Sequence, residues 1–397
     1  MRQLVSIFMM ACAMIFVAQG QSNKFNGLDE DKFDDKGHRI FNKAEPVTLL
    51  KGVPGTIIRL SDGSLFFIKD AFGLRTEAVS CSISKDEGIT WTEYPLADPE
   101  KFHIVCPVSV QTRKGTIVVG FSNSKELSPL NWNSTTHCYD PNANLPTYVI
   151  HSKDNGKTWS KPIKLHDSFT GANRGIIETK DGHIVFSTMI MRNNPGRSCV
   201  LTYVSSDGGA TWKPSNVLDS PSSSGDHSGL SEAAIIQLKD GRLWMVIRTN
   251  WDYFYESYSS DNGFTWSAYS KTNIDASSAP CALIRLQSGR IVFVWNRLYH
   301  KGRNDILRVG GDRNFTDVAV CWQRNELSLM YSDDDAKTWS SPVIIAENVR
   351  PSFHPWDRNW LAYPILAELT EGVILITTAF GALQIAVKEN DLHQKIQ

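Results

Sequence analysis

The chain has 397 residues, of which 41% are hydrophobic and 21% are charged, and its formal net charge is −1. This is the composition of an ordinary globular protein. A net charge so close to zero excludes a general electrostatic attraction to nucleic acids or anionic membranes. Any anion that the protein binds must therefore be held by Arg or Lys side chains at particular places in the fold.

The N-terminus has the features of a secretory signal peptide. Arg2 supplies a positive charge, the apolar run from Leu4 to Val17 is too short to span a membrane, and Ala18-Gln19-Gly20 supplies small residues for cleavage. We therefore predict a signal peptide over residues 1–20, a single domain over residues 21–397, and a secreted or periplasmic protein. No other segment is apolar for long enough to cross a bilayer, so we expect no membrane span.

The cysteines give no sign of a metal site. Seven cysteines occur, one of them in the leader, and they form no CxxC pair and no close cluster with histidine. A structural zinc site is therefore not expected. A chain of this size needs no disulfide framework, and we expect most of these cysteines to be buried thiols. The sequence implies no cofactor.

Six apolar hairpins follow one another along the rest of the chain. Each has an apolar strand, a polar turn that contains glycine and a second apolar strand, as in GTIIRLSDGSLFFIKD, which ends at Asp70. Short apolar runs around such a turn are typical of β-hairpins. The turn glycines are Gly63, Gly115, Gly182, Gly241, Gly289 and Gly372.

Five of the six hairpins are followed by the motif Ser-x-Asp-x-Gly-x-Thr-Trp, an aspartate-box turn; the copies begin at Ser84, Ser152, Ser205, Ser259 and Ser332. The Asp side chain caps backbone N–H groups, the glycine takes a positive φ, and the tryptophan packs between sheets. The last copy has Ala336 in place of glycine, and the sixth hairpin has only a degenerate tail. Two hairpins make four strands, so the repeats predict an all-β, six-bladed β-propeller with four-stranded antiparallel blades.

One end of the predicted propeller breaks the repeat symmetry. The topology places the start of each first strand and the end of each second strand at the end opposite the aspartate boxes, which we call the mouth. Glu232 interrupts the apolar run SEAAIIQL there. Function usually lies where a repeat departs from itself. The mouth collects Asp70, Arg197, Glu232, Arg248, Arg324 and Tyr363.

With these features the chain resembles the sialidase (neuraminidase) superfamily of six-bladed aspartate-box propellers over nearly all of its mature length. Members carry a catalytic Glu at a strand start and an Arg sixteen residues later, which correspond to Glu232 and Arg248. A further family Arg opens a strand that leads into an aspartate box, as Arg324 does in RNELSLMYSDDDAKTW. The family's nucleophilic Tyr begins the final hairpin, as Tyr363 does in AYPILAELTEG.

The resemblance implies an exo-acting glycoside hydrolase that removes a terminal acidic sugar, most simply sialic acid, with retention of configuration. Arg248 and Arg324 would hold the sugar carboxylate in bidentate hydrogen bonds. Because a phenol with a pKa of about 10 is a weak nucleophile, Glu232 would take the proton of Tyr363. A covalent glycosyl–tyrosine intermediate would follow. We expect a glycan substrate, no nucleic-acid partner and a monomer.

The first repeat departs from the family pattern at its arginine. The family's first Arg lies in an Arg-Ile-Pro sequence, where this chain has Lys51-Gly52-Val53-Pro54. One of the three arginines that the resemblance implies for the sugar carboxylate is therefore missing from its usual position. Its possible replacements are Lys51, Arg75 and Arg197.

The family's acid/base Asp is also missing from the first repeat, because the loop AFGLRT has no carboxylate. Asp70, at the mouth end of the preceding strand, is the nearest candidate for the acid. The other option is the loop GDHSG before Glu232, where His227 would donate a proton near neutral pH and Asp226 would contact the substrate.

Other functions remain open from the sequence. A non-catalytic glycan-binding propeller would explain the missing Arg and the missing acid. Binding alone needs no activated phenol, however, so the presence of both Glu232 and Tyr363 argues against it. An exo-glycosidase for a different acidic sugar is a second alternative, and a purely structural propeller would leave the charges of the mouth unexplained.

Overall fold

The computed structural model describes residues 28–47, 53–70, 79–298, 307–350 and 360–393. The predicted signal peptide lies outside these ranges. Within them the regular secondary structure is almost entirely β-strand, and six antiparallel sheets form a ring around a central channel. The prediction of a six-bladed β-propeller is confirmed.

The strands follow one another blade by blade. The chain opens with β1 (Leu28–Phe33), β2 (His38–Phe41) and β3 (Glu45–Pro46). Blade 1 consists of β4 (Gly55–Arg59), β5 (Leu65–Lys69), β6 (Ser80–Ser84) and β7 (Thr92–Pro95). Blade 2 consists of β8 (Ile104–Gln111), β9 (Ile117–Asn123), β12 (Thr147–Ser152) and β13 (Ile163–His166), and includes a 3-10 turn (Ser124–Glu126) and the hairpin of β10 (Trp132–Asn133) and β11 (Cys138–Tyr139). Blade 3 consists of β14 (Gly175–Glu178), β15 (Ile184–Arg192), β16 (Arg197–Ser205) and β17 (Lys213–Pro214).

The second half of the ring has the same plan. Blade 4 consists of β18 (Ser231–Gln237), β19 (Leu243–Arg248), β20 (Tyr253–Ser259) and β21 (Ser270–Asp275). Blade 5 consists of β22 (Ala282–Arg285), β23 (Ile291–Trp295), β26 (Glu326–Ser332) and β27 (Val343–Asn348), with the inserted hairpin of β24 (Arg308–Gly310) and β25 (Ala319–Cys321). Blade 6 contributes β28 (Ala362–Thr370), β29 (Val373–Phe380) and β30 (Gln384–Lys388), followed by a 3-10 turn (Glu389–His393).

The N-terminal strands complete the last two blades. The fourth strand of blade 6 is β3, in which Glu45 pairs with Ala386 of β30. The hairpin of β1 and β2 extends blade 5, because β2 pairs with β27. The sixth repeat therefore supplies only three strands of its blade. The fourth strand, β3, comes from the N-terminal part of the described chain.

The repeated turns have the predicted geometry. The hairpin glycines all have φ between +71° and +93°. In the fourth aspartate box, Asp261 accepts hydrogen bonds from the backbone N–H and the hydroxyl of Thr265, at 2.9 and 2.6 Å. In the fifth box, Ala336 takes the position of glycine with φ +67°. An alanine in this region is strained, because its Cβ crowds the following carbonyl oxygen.

The core lies between adjacent blades. One cluster packs Phe66 of blade 1 against Phe121 and Tyr148 of blade 2, and another packs Phe254 of blade 4 against Phe293 of blade 5. The six cysteines of the described residues are free thiols, and five of them are buried, as the sequence predicted. The sheets thus hold one another by apolar contact and leave the mouth free to carry polar groups.

Candidate active site

Three of the six first strands begin with an unusual backbone conformation. Cys106, Glu232 and Tyr363 have φ of +51°, +45° and +60°, in the left-handed region that non-glycine residues rarely adopt. All three lie nine residues before the turn glycine of their blade. Proline cannot adopt a positive φ, so the conformation is excluded in two other blades. The equivalent residues there and in blade 3 are Pro54, Pro280 and Asn173.

A β-bulge accompanies the conformation of Glu232. The pairing of β18 with β19 shifts by one residue between Ser231 and Ala234. Such a bulge re-aims a side chain that would otherwise follow the alternation of the strand. The apolar residues of SEAAIIQL can therefore remain in the core while Glu232 points toward Arg248 and Tyr363.

These residues form a hydrogen-bonded triangle. The hydroxyl of Tyr363 donates to Oε1 of Glu232 at 2.9 Å. Nη1 of Arg248 donates to Oε2 of Glu232 at 2.5 Å and to the oxygen of Tyr363 at 3.0 Å. Glu232 and Arg248 are only 8% and 7% exposed, so the contacts lie in a region from which water is largely excluded. The phenol and the carboxylate are within the distance required for proton transfer.

Electrostatics place the proton on the tyrosine. Burial raises the pKa of Glu232, but the charge and hydrogen bonds of Arg248 outweigh it, and the pKa lies below its usual value. Burial and the negative charge of Glu232 raise the pKa of Tyr363. At neutral pH the site therefore contains a carboxylate that accepts and a neutral phenol that donates.

Ser278 connects this triangle to Arg324. Its hydroxyl accepts from Nη2 of Arg248 at 3.0 Å and donates to Oδ1 of Asn250 at 2.7 Å. Its carbonyl oxygen accepts from Nη2 of Arg324. Ser278 is buried, so both guanidinium groups are held at fixed positions relative to each other. Sequence reasoning missed Ser278, because no repeat signal marks the two residues before Pro280.

Arg324 is a buried cation surrounded by aromatic rings. It is 3% exposed, and its guanidinium carbon lies 4.5 Å from the ring centre of Trp360, 4.9 Å from that of Trp322 and 5.6 Å from that of Tyr363. Within the described ranges no carboxylate pairs with it, and its Nε has no hydrogen-bond partner. Burial lowers the pKa of Arg324 to about 10, so it is charged at neutral pH. A buried cation that is not paired with a carboxylate attracts an anionic ligand.

Arg174 is a second residue that sequence reasoning missed. It lies beside Tyr363, with its guanidinium carbon 5.6 Å from the ring centre, and its Nη2 donates to the carbonyl oxygen of Pro364. A signal was present in the sequence, since Arg174 stands eight residues before its turn glycine. The other blades have small residues or proline at that position, namely Gly55, Pro107, Ala233, Cys281 and Pro364.

Asp70 lies in the same cavity as Tyr363. Its Oδ1 accepts from the backbone N–H of Cys106 at 2.9 Å. Asp70 and Tyr363 both line a cavity of about 160 Å³ in the central channel, to which all six first strands contribute. The structure therefore places Asp70 at the same end of the channel as the triangle.

Asp226 and His227 lie next to Trp322, one of the aromatic rings that surround Arg324. Nδ1 of His227 is 3.4 Å from Oδ2 of Asp226, and both side chains are partly exposed. The ring of His227 packs against Trp322, with centroids 5.4 Å apart, and Trp322 in turn contacts Arg324. The backbone of His227 is held by a hydrogen bond to the carbonyl of Phe315, in the segment that joins β24 to β25.

Arg197 is not brought to the cluster. Its Nε and Nη2 donate to the two carboxylate oxygens of Asp219 at 2.6 and 2.8 Å, and its Nη1 donates to the carbonyl of Pro195. The guanidinium is thus satisfied within blade 3, and the structure gives no support for a role in substrate binding. Lys51 and Arg75, the other suggested replacements for the missing arginine, lie outside the described residues.

The described residues contain neither a cluster of metal-ligating side chains nor a helix that could span a membrane. No group of three or more His, Cys, Asp or Glu side chains in those ranges is placed to hold a metal ion. None of the helices in the described part of the chain is long and apolar enough to cross a membrane.

Comparison with known families identifies the chain at the level of its repeats. The BNR repeat-like domain family matches residues 133–376, which is more than half of the 397 residues. The chain belongs to the BNR repeat-like domain family. The resemblance to sialidases predicted from the sequence is confirmed by relatives and structural neighbours of that name.

Two curated relatives illustrate the extent of the similarity. The sialidase of Paraclostridium sordellii is 36% identical over 53% of this chain and 55% of its own length. The sialidase of Clostridium perfringens is 29% identical over 49% of this chain and 53% of its own length. The chain thus spans about half the length of the curated relatives it matches.

The fold is shared more widely than the sequence. A Hadza microbial sialidase superposes with a TM-score of 0.57 at 16% identity, over 85% of this chain and 65% of that chain. At so low an identity the similarity concerns the fold alone. The six-bladed propeller described above is the architecture that the two chains have in common.

Proposed function

We propose that the protein is a secreted, exo-acting glycoside hydrolase that removes a terminal acidic sugar, most simply sialic acid, from glycans with retention of configuration. The observation that carries this proposal is the 2.9 Å hydrogen bond from the hydroxyl of Tyr363 to Glu232. A binding protein needs no buried carboxylate that accepts the proton of a phenol. A nucleophile and its base need this arrangement.

Tyr363 is the nucleophile of the proposed reaction. Its oxygen attacks the anomeric carbon while its proton passes to Oε1 of Glu232, and the bond from the anomeric carbon to the leaving-group oxygen breaks. Arg248 donates to both partners and stabilises the negative charge that develops on the phenol oxygen. Water then attacks the glycosyl–tyrosine intermediate from the side that the leaving group vacated, so two inversions give retention.

Arg248 and Arg324 hold the carboxylate of the sugar. Arg324 supports this role most directly, because it is buried and has no acidic partner among the described residues. Its place between Trp322 and Trp360 limits the directions from which an anion can approach. A neutral phenol is a better nucleophile than a carboxylate beside such an anionic substrate, since the phenol is not repelled.

The proton for the leaving group has two candidate donors in the described residues. Asp70 lies at the mouth end of the channel, and the pair of His227 and Asp226 lies beyond Trp322. The pH profiles of Asp70→Asn and His227→Gln distinguish the two, because only replacement of the true donor removes the basic limb of the profile.

We also propose that the mature chain is an exported monomer consisting of one propeller domain. The positive residue, apolar run and small residues at the N-terminus support the cleaved leader. N-terminal sequencing of the protein recovered from the periplasm and medium tests it. A mature protein that retains residues 1–20 contradicts it. Light scattering of the purified protein measures the oligomeric state.

The experiment that tests the function is the release of free sugar from defined oligosaccharides. We expect the purified protein to release sialic acid from a sialylated lactose, and NMR to detect the α-anomer first. Intact-protein mass spectrometry after a rapid quench should detect a glycosyl adduct that Tyr363→Phe abolishes. Release of another acidic sugar redirects the assignment within the class. A glycan that binds and is never cleaved favours the non-catalytic alternative, and unchanged turnover in Tyr363→Phe excludes the proposed nucleophile.

A further inference from the structure

Arg174 breaks the symmetry of the channel as Glu232 and Tyr363 break that of the mouth. Each blade has an equivalent position eight residues before its turn glycine. Arg174 is the one long, charged side chain among these six positions. Small residues or proline at the other five positions leave room for it. The side chain lines the central cavity together with Ile57, Ile235 and Leu366, which belong to three other blades.

The side chain spans the channel. The first strands contact one another in the ring order β4, β8, β14, β18, β22 and β28, so β14 and β28 lie on opposite sides. Arg174 directly precedes β14, and its Nη2 donates to the carbonyl oxygen of Pro364 in β28. This carbonyl belongs to the residue that follows Tyr363. Arg174 therefore fixes the backbone next to a residue held at a positive φ of +60°.

The charge of Arg174 acts on both members of the phenol–carboxylate pair. Its guanidinium carbon lies 5.6 Å from the ring centre of Tyr363, the same distance as that of Arg324. A ring between two cations is stabilised further when it becomes a phenolate. Arg174 also favours the ionised form of Glu232, in addition to the larger effect of Arg248. No carboxylate of the described residues pairs with Arg174, and its Nε has no hydrogen-bond partner there.

The titratable groups around this pair and Arg174 come from five blades. Asp70 and Cys106 belong to blades 1 and 2, Arg174 to blade 3, Arg248 to blade 4, and Cys281 and Arg324 to blade 5. Burial raises the pKa of the Cys106 thiol and raises that of Cys281 to about 12, so both are neutral at neutral pH. Among the described residues, the cations that act on Tyr363 and Glu232 are Arg248, Arg324 and Arg174.

We propose that Arg174 is a positioning residue that stabilises the reactive pair of Tyr363 and Glu232 from the channel side, in place of a cation supplied by the first repeat. The inference rests on the function proposed above. In this role Arg174 contacts the protein and not the substrate. It keeps Glu232 able to accept a proton and keeps Tyr363 in place for attack.

The test compares Arg174→Met, Arg174→Lys and the control Arg113→Met. Arg113 also donates to backbone carbonyls of another blade, those of Thr179 and Lys180, but at the end of the propeller away from the mouth. For Arg174→Met we expect kcat to fall about tenfold or more with little change in KM. The acidic limb of the kcat profile should move up by about one pH unit, because a lost cation raises the pKa of Glu232. Arg174→Lys should restore the limb, and Arg113→Met should change neither quantity.

Two other outcomes would overturn the proposal. A rise in KM with unchanged kcat would make Arg174 a substrate contact. A lower kcat and a lower melting temperature without movement of the acidic limb would make it a structural plug of the channel.

A titration that needs no substrate separates this proposal from the function on which it rests. The phenolate absorbance of Tyr363 is obtained as the difference between each protein and its Tyr363→Phe version. We expect Arg174→Met to raise the pKa of Tyr363, and an unchanged pKa contradicts the electrostatic role. If the wild type cleaves no acidic glycan but the titration shifts, the function fails while the role of Arg174 in the electrostatics of the pair stands.

Discussion

The repeats are nearly identical at one end of the propeller and differ from one another at the other end. At the aspartate-box end the copies are nearly identical, and in all five the serine hydroxyl accepts from the backbone N–H four residues later at 2.8 to 2.9 Å. At the mouth the equivalent positions of six blades carry five different residue types. The repeated turns hold the ring together locally, so the mouth can vary without loss of the fold.

Left-handed backbone occurs at both ends, but in different settings. At the box end two successive residues after the aspartate have positive φ: the second is glycine in four of the five copies, and the first is a polar turn residue in four, namely Glu87, Asn155, Asn262 and Asp335. At the mouth the residues with positive φ include Cys106, Glu232 and Tyr363, which lie in strands. A non-glycine residue is retained in such a conformation where its side chain is needed. The side chains of Glu232 and Tyr363 are needed because they form the hydrogen-bonded triangle with Arg248.

The largest expected effect comes from a change at the mouth. Glu232→Gln removes the base but keeps an oxygen that accepts from Arg248, so we expect kcat to fall by about 10²–10⁴-fold with little loss of stability. Initial rates on the preferred acidic glycoside and a thermal melt measure the two quantities. Glu371→Gln, on an exposed turn at the other end, is the control and should leave both unchanged. A fall of less than tenfold in Glu232→Gln contradicts the proposed role.

A change at the box end should lower stability and leave turnover unchanged. Asp261→Ala removes a carboxylate that accepts three hydrogen bonds. The donors are the hydroxyl of Ser259 and the backbone N–H and hydroxyl of Thr265. We expect the free energy of unfolding to fall by about 1 kcal/mol, with kcat unchanged. Urea unfolding measures the loss, and Asp261→Asn, which keeps an acceptor oxygen, should recover part of it. A changed kcat at equal folded fraction would show that the two ends are coupled.

Acid should weaken the box end in particular. Hydrogen bonds from Thr338 lower the pKa of Asp334 to about 2, and those from Thr211 outweigh partial burial and lower that of Asp207 to about 2, against an ordinary 3.8. A lowered folded-state pKa adds stability above the unfolded value, and that stability disappears as the pH falls from about 4 to about 2. The melting temperature should fall across this range. An Asp207→Asn and Asp334→Asn double variant should show a shallower fall, and an equally steep one would contradict the assignment.

The smallest expected effect concerns the imperfect fifth box. Ala336 has φ +67° at the position where the other copies have glycine. Ala336→Gly should stabilise the protein by roughly 0.5 kcal/mol, since relief of the strained conformation exceeds the added flexibility of the unfolded chain. A small rise in melting temperature with unchanged activity is the expected result. A lower melting temperature would mean that the alanine methyl group contributes to packing.

The sequence predicts much of this molecule because the repeats are local. Six turn glycines and five aspartate boxes fix the strand order, and their spacing brings Glu232, Arg248, Arg324 and Tyr363 to one end. What it could not predict depends on distances across the ring. Ser278 bridges two arginines from different blades, and Arg174 reaches the opposite side of the channel. A local contact was missed as well: the ion pair of Arg197 with Asp219 is not visible in the register of the repeats.

The strand β3 has a consequence for how the protein folds. Blade 6 is complete only when Glu45 and Pro46 pair with β30, near the other end of the described chain. Closing a loop of that length costs conformational entropy that no local contact offsets, so ring closure is a late step. Until then β30 presents an unpaired edge, which is a template for pairing with another chain. The rate at which the N-terminal strand returns to β30 therefore sets the concentration at which refolding gives way to aggregation.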